Sequence, residues 1–469
     1  MPFNTLTFAV FFSMVLLLHR MLPSWASQKR LLLGASYLFY SAWNPPFVAL
    51  LLLSTVVDWQ LARRIHRAEP LGLRRALLLL SVATNLGLLG TFKYGEFLLQ
   101  SFIDAMALLG VIYAAPALDL VLPVGISFYT FQSMSYTIDV YRRRIAPADS
   151  FSDFALFVSF FPQLVAGPIV RAREFLPQLR SPRRAGAVKL QWGLVLMALG
   201  LFQKVALGDG VFAPLVDRLY LDPGAASAAD AWLGIAAFSG QIYCDFAGYS
   251  TSAIGAALCL GFALPENFHR PYAACGFSDF WRRWHMSLSQ WLRDYLYVSL
   301  GGNRHGTART CVNLMLTMLI GGLWHGASWM FVLWGAMHGL YLVLERWLRQ
   351  WVGPSTRILP PALLAGLTFL VITLTWIPFR APDLGTMAAV LAALTRVHQA
   401  SIFDPHTALI GAACVLGLFA WQWSQRERRL EQWFENLTPS TQGALVGGVL
   451  MGLFLFSGGD QRAFIYFQF

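Results

Sequence analysis

The sequence is poor in charge. Only 13% of its 469 residues are Asp, Glu, Lys or Arg, whereas 57% are hydrophobic and the mean hydropathy is +0.54. Because soluble globular domains carry about 25% charged residues, this deficit excludes an ordinary soluble enzyme and predicts a polytopic membrane protein. Acidic residues are scarcer than basic ones, 24 against 35. The arginines cluster in short connections between apolar runs, which indicates membrane topology rather than nucleic-acid binding.

Signatures of several enzyme classes are also missing. The five cysteines are odd in number and form no C-x-x-C pair, so neither a disulfide framework nor a zinc site is indicated. The sequence has no Gly-rich phosphate loop after a strand, no G-x-S-x-G elbow and no Cys-His nucleophile pattern. A covalent enzyme intermediate therefore has little support, and we expect no metal and no permanently bound cofactor.

Apolar runs are the main feature that the sequence does contain. We expect an all-α membrane protein in which about eleven helices cross the bilayer and the shorter runs are re-entrant or interfacial. Segment 151–168 contains prolines and glycine and is expected to be a re-entrant segment beside a cavity, because broken backbone survives at membrane depth only when it is shielded from lipid. Residues 209–230 hold four Asp and one Arg and are expected to form an outward-facing loop. The chain is expected to be one membrane domain over residues 1–469.

His325 is the most informative single residue. It lies in a break flanked by glycine and tryptophan, residues 321–329, after an apolar run at 311–323. As a helix that run is roughly 20 Å long, short of the roughly 30 Å hydrocarbon core, so His325 is expected inside the bilayer. Ionisable side chains at that depth usually mark function.

A second unusual tract, residues 278–295, predicts an amphipathic helix at the cytoplasmic interface. Its helix would be capped by Ser278 or Asp279 and would turn His285 inward. Two buried histidines flanked by tryptophan suit general acid/base work, because burial lowers the imidazole pKa and keeps the ring neutral. His338 lies thirteen positions after His325, near the opposite side of a continuous helix, which disfavours a metal site. The competing interpretation of this tract is an aromatic belt with snorkelling arginines.

Eight tracts stand out in the sequence: Phe160–Pro168, Asp245–Ser250, Glu266–Phe268, Phe280–Ser289, Trp291–Tyr297, Gly301–Arg304, Gly322–Ala327 and the terminal Tyr466–Phe469. Together they resemble the membrane-bound O-acyltransferase (MBOAT) family, in the bacterial branch that acetylates alginate and cellulose. The resemblance implies helices around a central funnel, a catalytic core at about residues 120–350, and His325 as the catalytic residue with His285 as its partner. Thr251 stands where the family commonly has an acidic residue, so we assign it no role.

The resemblance also suggests roles for six further residues. Arg282, Arg283 and Arg304 are candidate contacts for an anionic coenzyme, although they would equally satisfy the positive-inside bias. Asp245 could pair with an arginine or orient a histidine, and a structural ion pair is an equal alternative. We favour interhelical hydrogen bonding for Asn313 and packing for Trp324.

The expected function is that of an O-acetyltransferase of the bacterial inner membrane. Acetyl-CoA would donate the acetyl group, His325 would act as general base, and an exopolysaccharide such as alginate or cellulose would be modified in the periplasm. Expected partners are a periplasmic acetyltransferase of esterase-like fold, the polysaccharide synthesis machinery and membrane lipid, but not nucleic acid. Three alternatives remain: a transporter or channel subunit without transferase chemistry, a D-alanyltransferase acting on teichoic acid, and a scaffold for a secretion complex.

Overall fold

The fold is helical throughout the part of the chain that the computed structural model describes, residues 1–113, 115, 120–165, 167–353, 359–456, 462, 464 and 465. No strand occurs among these residues, which confirms the predicted all-α class. The terminal motif Tyr466–Phe469 lies outside the described residues.

The α-helices are α1 (Leu6–Met21), α2 (Trp25–Ser41), α3 (Phe47–Arg67), α4 (Leu71–Leu89), α5 (Gly95–Leu108), α6 (Ile126–Tyr141), α7 (Phe151–Ser159), α8 (Phe161–Leu164), α9 (Ala172–Phe175), α10 (Ala187–Phe202), α11 (Ala213–Leu221), α12 (Ala228–Cys259), α13 (Phe277–Arg283), α14 (Met286–Trp291), α15 (Gly306–His325), α16 (Trp329–Val352), α17 (Pro361–Arg380), α18 (Leu384–Ala393), α19 (Pro405–Ser424), α20 (Leu430–Glu435) and α21 (Pro439–Phe456). Three π-helical segments, Gly90–Tyr94, Gln203–Phe212 and Leu292–Tyr297, and two short 3-10 turns, Leu176–Leu179 and Pro271–Ala273, join some of them.

Five helical stretches of the described chain are long and apolar enough to cross a membrane. They are Leu71–Leu108, Ala187–Leu221, Pro361–Arg380, Pro405–Ser424 and Pro439–Phe456. Their number makes the chain a multi-pass membrane protein. The expected total of about eleven spans stays a prediction.

The chain divides into two compact units, residues 1–193 with 256–265, and residues 194–255 with 266–469. In the first unit α3 packs against α4, α6 and α7. Asp58 is fully buried there, and its carboxylate accepts hydrogen bonds from Ser81 Oγ (2.6 Å) and Asn85 Nδ2 (2.7 Å), which offset the cost of burying it. The segment predicted to be re-entrant is broken into α7 and α8 at Phe160. Its depth in the membrane, like the single domain over 1–469, remains a prediction.

In the second unit, α15 and α16 form an antiparallel hairpin that glycines allow to close. A Cβ atom on Gly322 would lie 2.9 Å from the Cα of Gly335, and one on Gly335 would overlap the carbonyl oxygen of Met318. The chain turns at residues 326–328, where Ser328 Oγ accepts a hydrogen bond from the backbone N–H of Met330 (3.2 Å) and starts α16. The hairpin therefore brings the end of α15 against the first turns of α16.

Two sequence-based expectations in this unit are wrong. The expected outward loop at 209–230 is largely helical, because the π-helical segment continues to Phe212 and α11 follows, and residues 222–227 alone separate α11 from α12. The expected continuous helix at 278–295 is broken: α13 begins at Phe277 after Gly276, and it ends before His285. Apolar periodicity gave no sign of this break.

Candidate active site

His285 lies in the break between α13 and α14, in a strained backbone conformation. Its φ of 40° and ψ of 54° fall in the left-handed region, which costs a non-glycine residue of the order of 1–3 kcal/mol and is concentrated at functional sites. Asn267 hydrogen-bonds to the two residues that follow His285, Met286 and Ser287. Its carbonyl oxygen accepts from the N–H of Met286 (2.9 Å), and its Oδ1 accepts from Ser287 Oγ (2.8 Å). Asn267 therefore helps to hold this strained turn in place.

Asn267 is a positioning residue that sequence reasoning did not single out. Its side chain is buried, and its Nδ2 donates to Ser250 Oγ (3.0 Å). The only sequence signal for it was its place in the tract Glu266–Phe268.

His325 is the last residue of α15 and is held by the hairpin. It is 2% exposed, and its ring packs edge-on against Trp334 of α16 (5.0 Å between centroids) and Phe379 of α17 (5.6 Å). Gly322 lies about one turn before His325 and permits the close approach of α16. This approach brings Trp334 against the ring of His325. The position of His325 thus follows from the small residues of the hairpin.

The fold brings the two histidines together although they are 40 residues apart. The ring centroids of His285 and His325 are 6.2 Å apart, and His285 is fully buried. Both ring nitrogens of His285 lack a hydrogen-bond partner among the described residues. Burial lowers the pKa of His285 well below its usual range, so its imidazole is neutral at physiological pH.

Aromatic rings surround this histidine pair. Trp324 contacts both imidazoles, at 5.8 Å from His285 and 5.1 Å from His325, and Phe246 meets His285 edge-on at 4.6 Å. The packing role expected for Trp324 agrees with these contacts. A buried, apolar surround strengthens any hydrogen bond that forms between the two rings.

His338 is near the pair rather than on the far side of a continuous helix, so that expectation is wrong. The helix ends at His325 and the chain reverses into α16, where Trp334 contacts His325. His338 lies one turn after Trp334 in α16, with its ring 4.6 Å from that of Trp334. His338 is fully buried, and both of its ring nitrogens lack a hydrogen-bond partner among the described residues.

Asp245 belongs to a buried ion cluster that the sequence did not predict. It pairs with Lys204, which also pairs with Asp209 at 2.7 Å, and its Oδ2 accepts from the backbone N–H of Ile465 (2.8 Å). Lys204 and Asp209 are five residues apart, the repeat of the π-helical segment that contains them. Asp245 is thus paired with a lysine, and its supporting role in catalysis remains a prediction. The sequence signal for the Lys204–Asp209 pair was a lysine in an apolar run with an acidic residue five positions later.

The three candidate coenzyme arginines differ in their surroundings. The Arg282 side chain is 68% exposed and Arg304 is also exposed, so both can reach a soluble anion. Arg283 is buried and bonded internally: its guanidinium donates to Asp279 (3.1 Å) and to the carbonyl oxygen of Arg426 (3.0 Å). Coenzyme contact by any of the three stays a prediction, and Arg283 has the least freedom to make it.

Asp279 anchors α13 to the segment around residue 426. Burial raises its pKa, but the backbone N–H of Cys275 and the guanidinium groups of Arg283 and Arg426 outweigh that effect, and the pKa is lowered from 3.8. Its carboxylate is therefore charged and fully paired at neutral pH.

Asn313 is buried in α15, where its Nδ2 donates to the carbonyl oxygen of Gly302 (2.9 Å). This bond ties the turn at residues 301–304 to the helix that carries His325. It is a side-chain to backbone bond, whereas we expected a bond between helices.

Comparison with known proteins places the chain in a family. The model of the MBOAT, membrane-bound O-acyltransferase family, matches residues 148–377, which include all of the candidate site residues. The chain is 43% identical over 370 residues to a probable alginate O-acetylase of Azotobacter vinelandii, covering 78% of this chain and 72% of that protein. It is 43% identical over 358 residues to the probable alginate O-acetylase of Pseudomonas aeruginosa, covering 76% and 67%.

A peptidoglycan O-acetyltransferase of Helicobacter pylori is 37% identical over 396 residues, covering 78% of this chain and 74% of its own. Identity at this level over most of both chains establishes common descent and a shared reaction class. The chain is an O-acyltransferase and belongs to the membrane-bound O-acyltransferase family, in the branch of the alginate O-acetylases.

Proposed function

We propose that this protein is an inner-membrane O-acetyltransferase that passes acetyl groups from cytosolic acetyl-CoA towards the periplasmic modification of an exopolysaccharide. The observation that carries the proposal is the pair of buried imidazoles, His285 and His325, with centroids 6.2 Å apart and aromatic rings around them. Alginate and peptidoglycan appear in the names of the similar proteins, which supports a polysaccharide as the final acceptor.

In the proposed reaction His325 is the general base. Its neutral imidazole takes the proton from an acceptor hydroxyl, and the hydroxyl oxygen attacks the thioester carbonyl of acetyl-CoA. The tetrahedral intermediate collapses, the ester forms, and the coenzyme leaves as a thiolate that recovers the proton from the imidazolium. Positioned general bases contribute about 10²–10⁴-fold to rate, and fixing two reactants side by side contributes further.

His285 supports the same step. Because its ring nitrogens are without a partner among the described residues, it can hydrogen-bond to a reacting oxygen, and the ring of Phe246 packs against it. Trp324 lies against both rings and would shield the reacting groups from water.

The donor is proposed to arrive on the basic side of the chain. Arg282 and Arg304 are exposed and would attract the phosphates of the coenzyme. On the acceptor side, a periplasmic acetyltransferase of esterase-like fold is proposed to complete transfer to the polymer made by the synthesis machinery.

The test compares His325→Gln and His325→Ala with His406→Gln, a control at an exposed histidine of α19. Acetyl content of the secreted polysaccharide is measured at matched protein levels, and turnover of acetyl-CoA is measured with the purified protein. Both His325 variants should lose about 100-fold or more of the rate, and the control should keep it.

Acetylation at the parental rate in the His325 variants would refute the general base. Acetylated polymer that is still exported by the His325 variants, but not by cells that lack the whole chain, would favour a scaffold. Acetylation that persists in those variants while the purified protein turns over no acetyl-CoA would favour a transporter. Strict dependence on an aminoacyl carrier would favour D-alanyl transfer.

A further inference from the structure

A wedge-shaped cavity opens at the end of the α15–α16 hairpin that lies away from His325. The two helices are closest at Gly322 and Gly335, and a Cβ on Gly339 would still lie 3.3 Å from the Cα of Met315. One turn further on, larger residues replace the glycines, and an open cavity of about 300 Å³ lies against the two helices. Its lining includes Thr307, Cys311, Val343, Leu344, Arg346 and Trp347.

The walls and rim of this wedge suit a lipid. Cys311, Val343 and Leu344 give the walls an apolar surface, and Leu344 and Trp347 are also exposed at the rim. Trp347 packs against the exposed Trp351, with ring centroids 5.2 Å apart. Exposed tryptophans beside arginines are typical of the headgroup level of a bilayer.

The mouth of the wedge carries an excess of positive charge. Segments 302–309 and 343–352 hold four arginines and one acidic residue, Glu345. The carboxylate of Glu345 already has partners: it pairs with Arg349 and accepts a hydrogen bond from the backbone N–H of Ser278 (2.8 Å).

Arg346 is the arginine of the mouth that also lines the cavity. Its Nε is buried and has no hydrogen-bond partner in the described part of the chain. An arginine at the mouth is a suitable partner for a phosphate group, because a guanidinium binds phosphate through charge-assisted hydrogen bonds.

We propose that the wedge binds one anionic phospholipid of the surrounding leaflet, with an acyl chain against Val343 and Leu344 and the phosphate at the guanidinium of Arg346. The charge at the mouth favours a net negative headgroup over a zwitterionic one. The apolar walls have no use in binding free phosphate, so the acyl chain is part of the recognition. The site is separate from the histidine pair, and no acyl transfer is assigned to it.

The test uses the purified full chain in a neutral detergent and native mass spectrometry. The probes are palmitoyl-oleoyl phosphatidylglycerol, phosphatidylcholine with the same acyl chains, and inorganic phosphate. We expect one tightly held phosphatidylglycerol, with at least tenfold weaker binding of the other two probes. If phosphatidylcholine bound as tightly as phosphatidylglycerol, the proposed charge selectivity would be overturned. If inorganic phosphate bound as tightly as phosphatidylglycerol, the wedge would be an anion site only, and the proposal would be overturned.

Two variants test the two halves of the site, one variant for each half. Arg346→Gln removes the phosphate contact, and Cys311→Phe fills the wedge without changing its charge. Each should weaken phosphatidylglycerol binding at least tenfold, while Arg428→Gln, at an exposed arginine elsewhere, should not.

The melting temperature in detergent identifies any variant that has lost its fold. If Cys311→Phe unfolds, Val343→Leu, a smaller increase in volume, replaces it. Retained binding in folded Arg346→Gln, or an equal loss in Arg428→Gln, would overturn the proposal. Neither outcome bears on acyl transfer, because no residue changed here belongs to the histidine pair.

Discussion

Replacing Lys204 by methionine should destabilise the protein far more than replacing an ion-paired lysine at the surface. Lys204 and Asp209 are 2.7 Å apart with side chains 3% and 9% exposed, and Asp245 shares the same ammonium group. Lys204→Met leaves two buried carboxylates with no cation between them. Removing one partner of a buried pair costs about 3–5 kcal/mol, so we expect a loss of about 5 kcal/mol or protonation of one carboxyl to avoid it.

Lys29 provides the matched control. Its ammonium group is also 2.7 Å from a carboxylate, that of Asp153, but both side chains are 23% exposed. Ion pairs that water reaches contribute about 0–1 kcal/mol, so Lys29→Met should cost no more than about 1 kcal/mol.

The assay is the free energy of unfolding of the full chain in mixed detergent micelles. The triple variant Lys204→Met, Asp209→Asn, Asp245→Asn should recover most of the loss, because it removes the uncompensated charges. A cost for Lys204→Met no larger than that for Lys29→Met, or no recovery in the triple variant, would refute the reasoning.

Three further predictions concern the site and its support. His285→Asn, which tolerates the left-handed backbone, should be more stable than His285→Val by roughly 1–3 kcal/mol, and equal melting temperatures would show that the turn is unstrained. Gly335→Ala should lose about 1–3 kcal/mol by overlapping the Met318 carbonyl, whereas Gly366→Ala, with open space, should be neutral or stabilising; similar thermal stability of the two would contradict this. Because the pKa of Asp279 is lowered in the folded state, its contribution is present above pH 3.8 and is lost as pH falls further; Asp279→Asn should flatten unfolding curves measured across that acid range, and an unchanged acid dependence would refute the assignment.

The histidine pair could be predicted from the sequence because both residues lie in long tracts rich in tryptophan and glycine. His325 was predicted from a run too short to carry it out of the bilayer, and His285 from the inward face of an amphipathic pattern. That pattern was right about burial, since His285 and Leu288 are fully buried, but wrong about continuity. Apolar spacing reports which side chains face the core, and it does not report a left-handed residue in the middle of the pattern.

The ion cluster could not be predicted in the same way. In the sequence, Lys204 is a lone charge in an apolar run, and Asp209 is the first charge of the segment expected to be a loop. Helix patterns assume a repeat of 3.6 residues, so they did not place these two side chains together. A π-helical segment puts residues five apart on the same side, and the third member of the cluster, Asp245, lies about 40 residues further along the sequence. The lysine and the acid five residues later were a local signal, but nothing local indicated their contact with Asp245.

The location of His338 shows a third limit of prediction from the sequence. Its distance from His325 along the chain suggested separation, but the turn at 326–328 doubles the chain back on itself. Glycine and serine after His325 gave the signal for that turn, and only the packing of Gly322 on Gly335 shows how close the two helices become.

The glycine-packed hairpin bears on how the protein enters the membrane during synthesis. α15 and α16 have 20 and 24 residues, yet neither is among the five stretches apolar enough to cross a bilayer on composition. A segment with Arg309, Asn313 and His325 would partition poorly by itself. Its partner follows after a turn of three residues, so the two can leave the translocon as one folded pair, with the polar groups of α15 already covered. Assembly of the helix that carries His325 would then depend on the synthesis of the helix that comes after it.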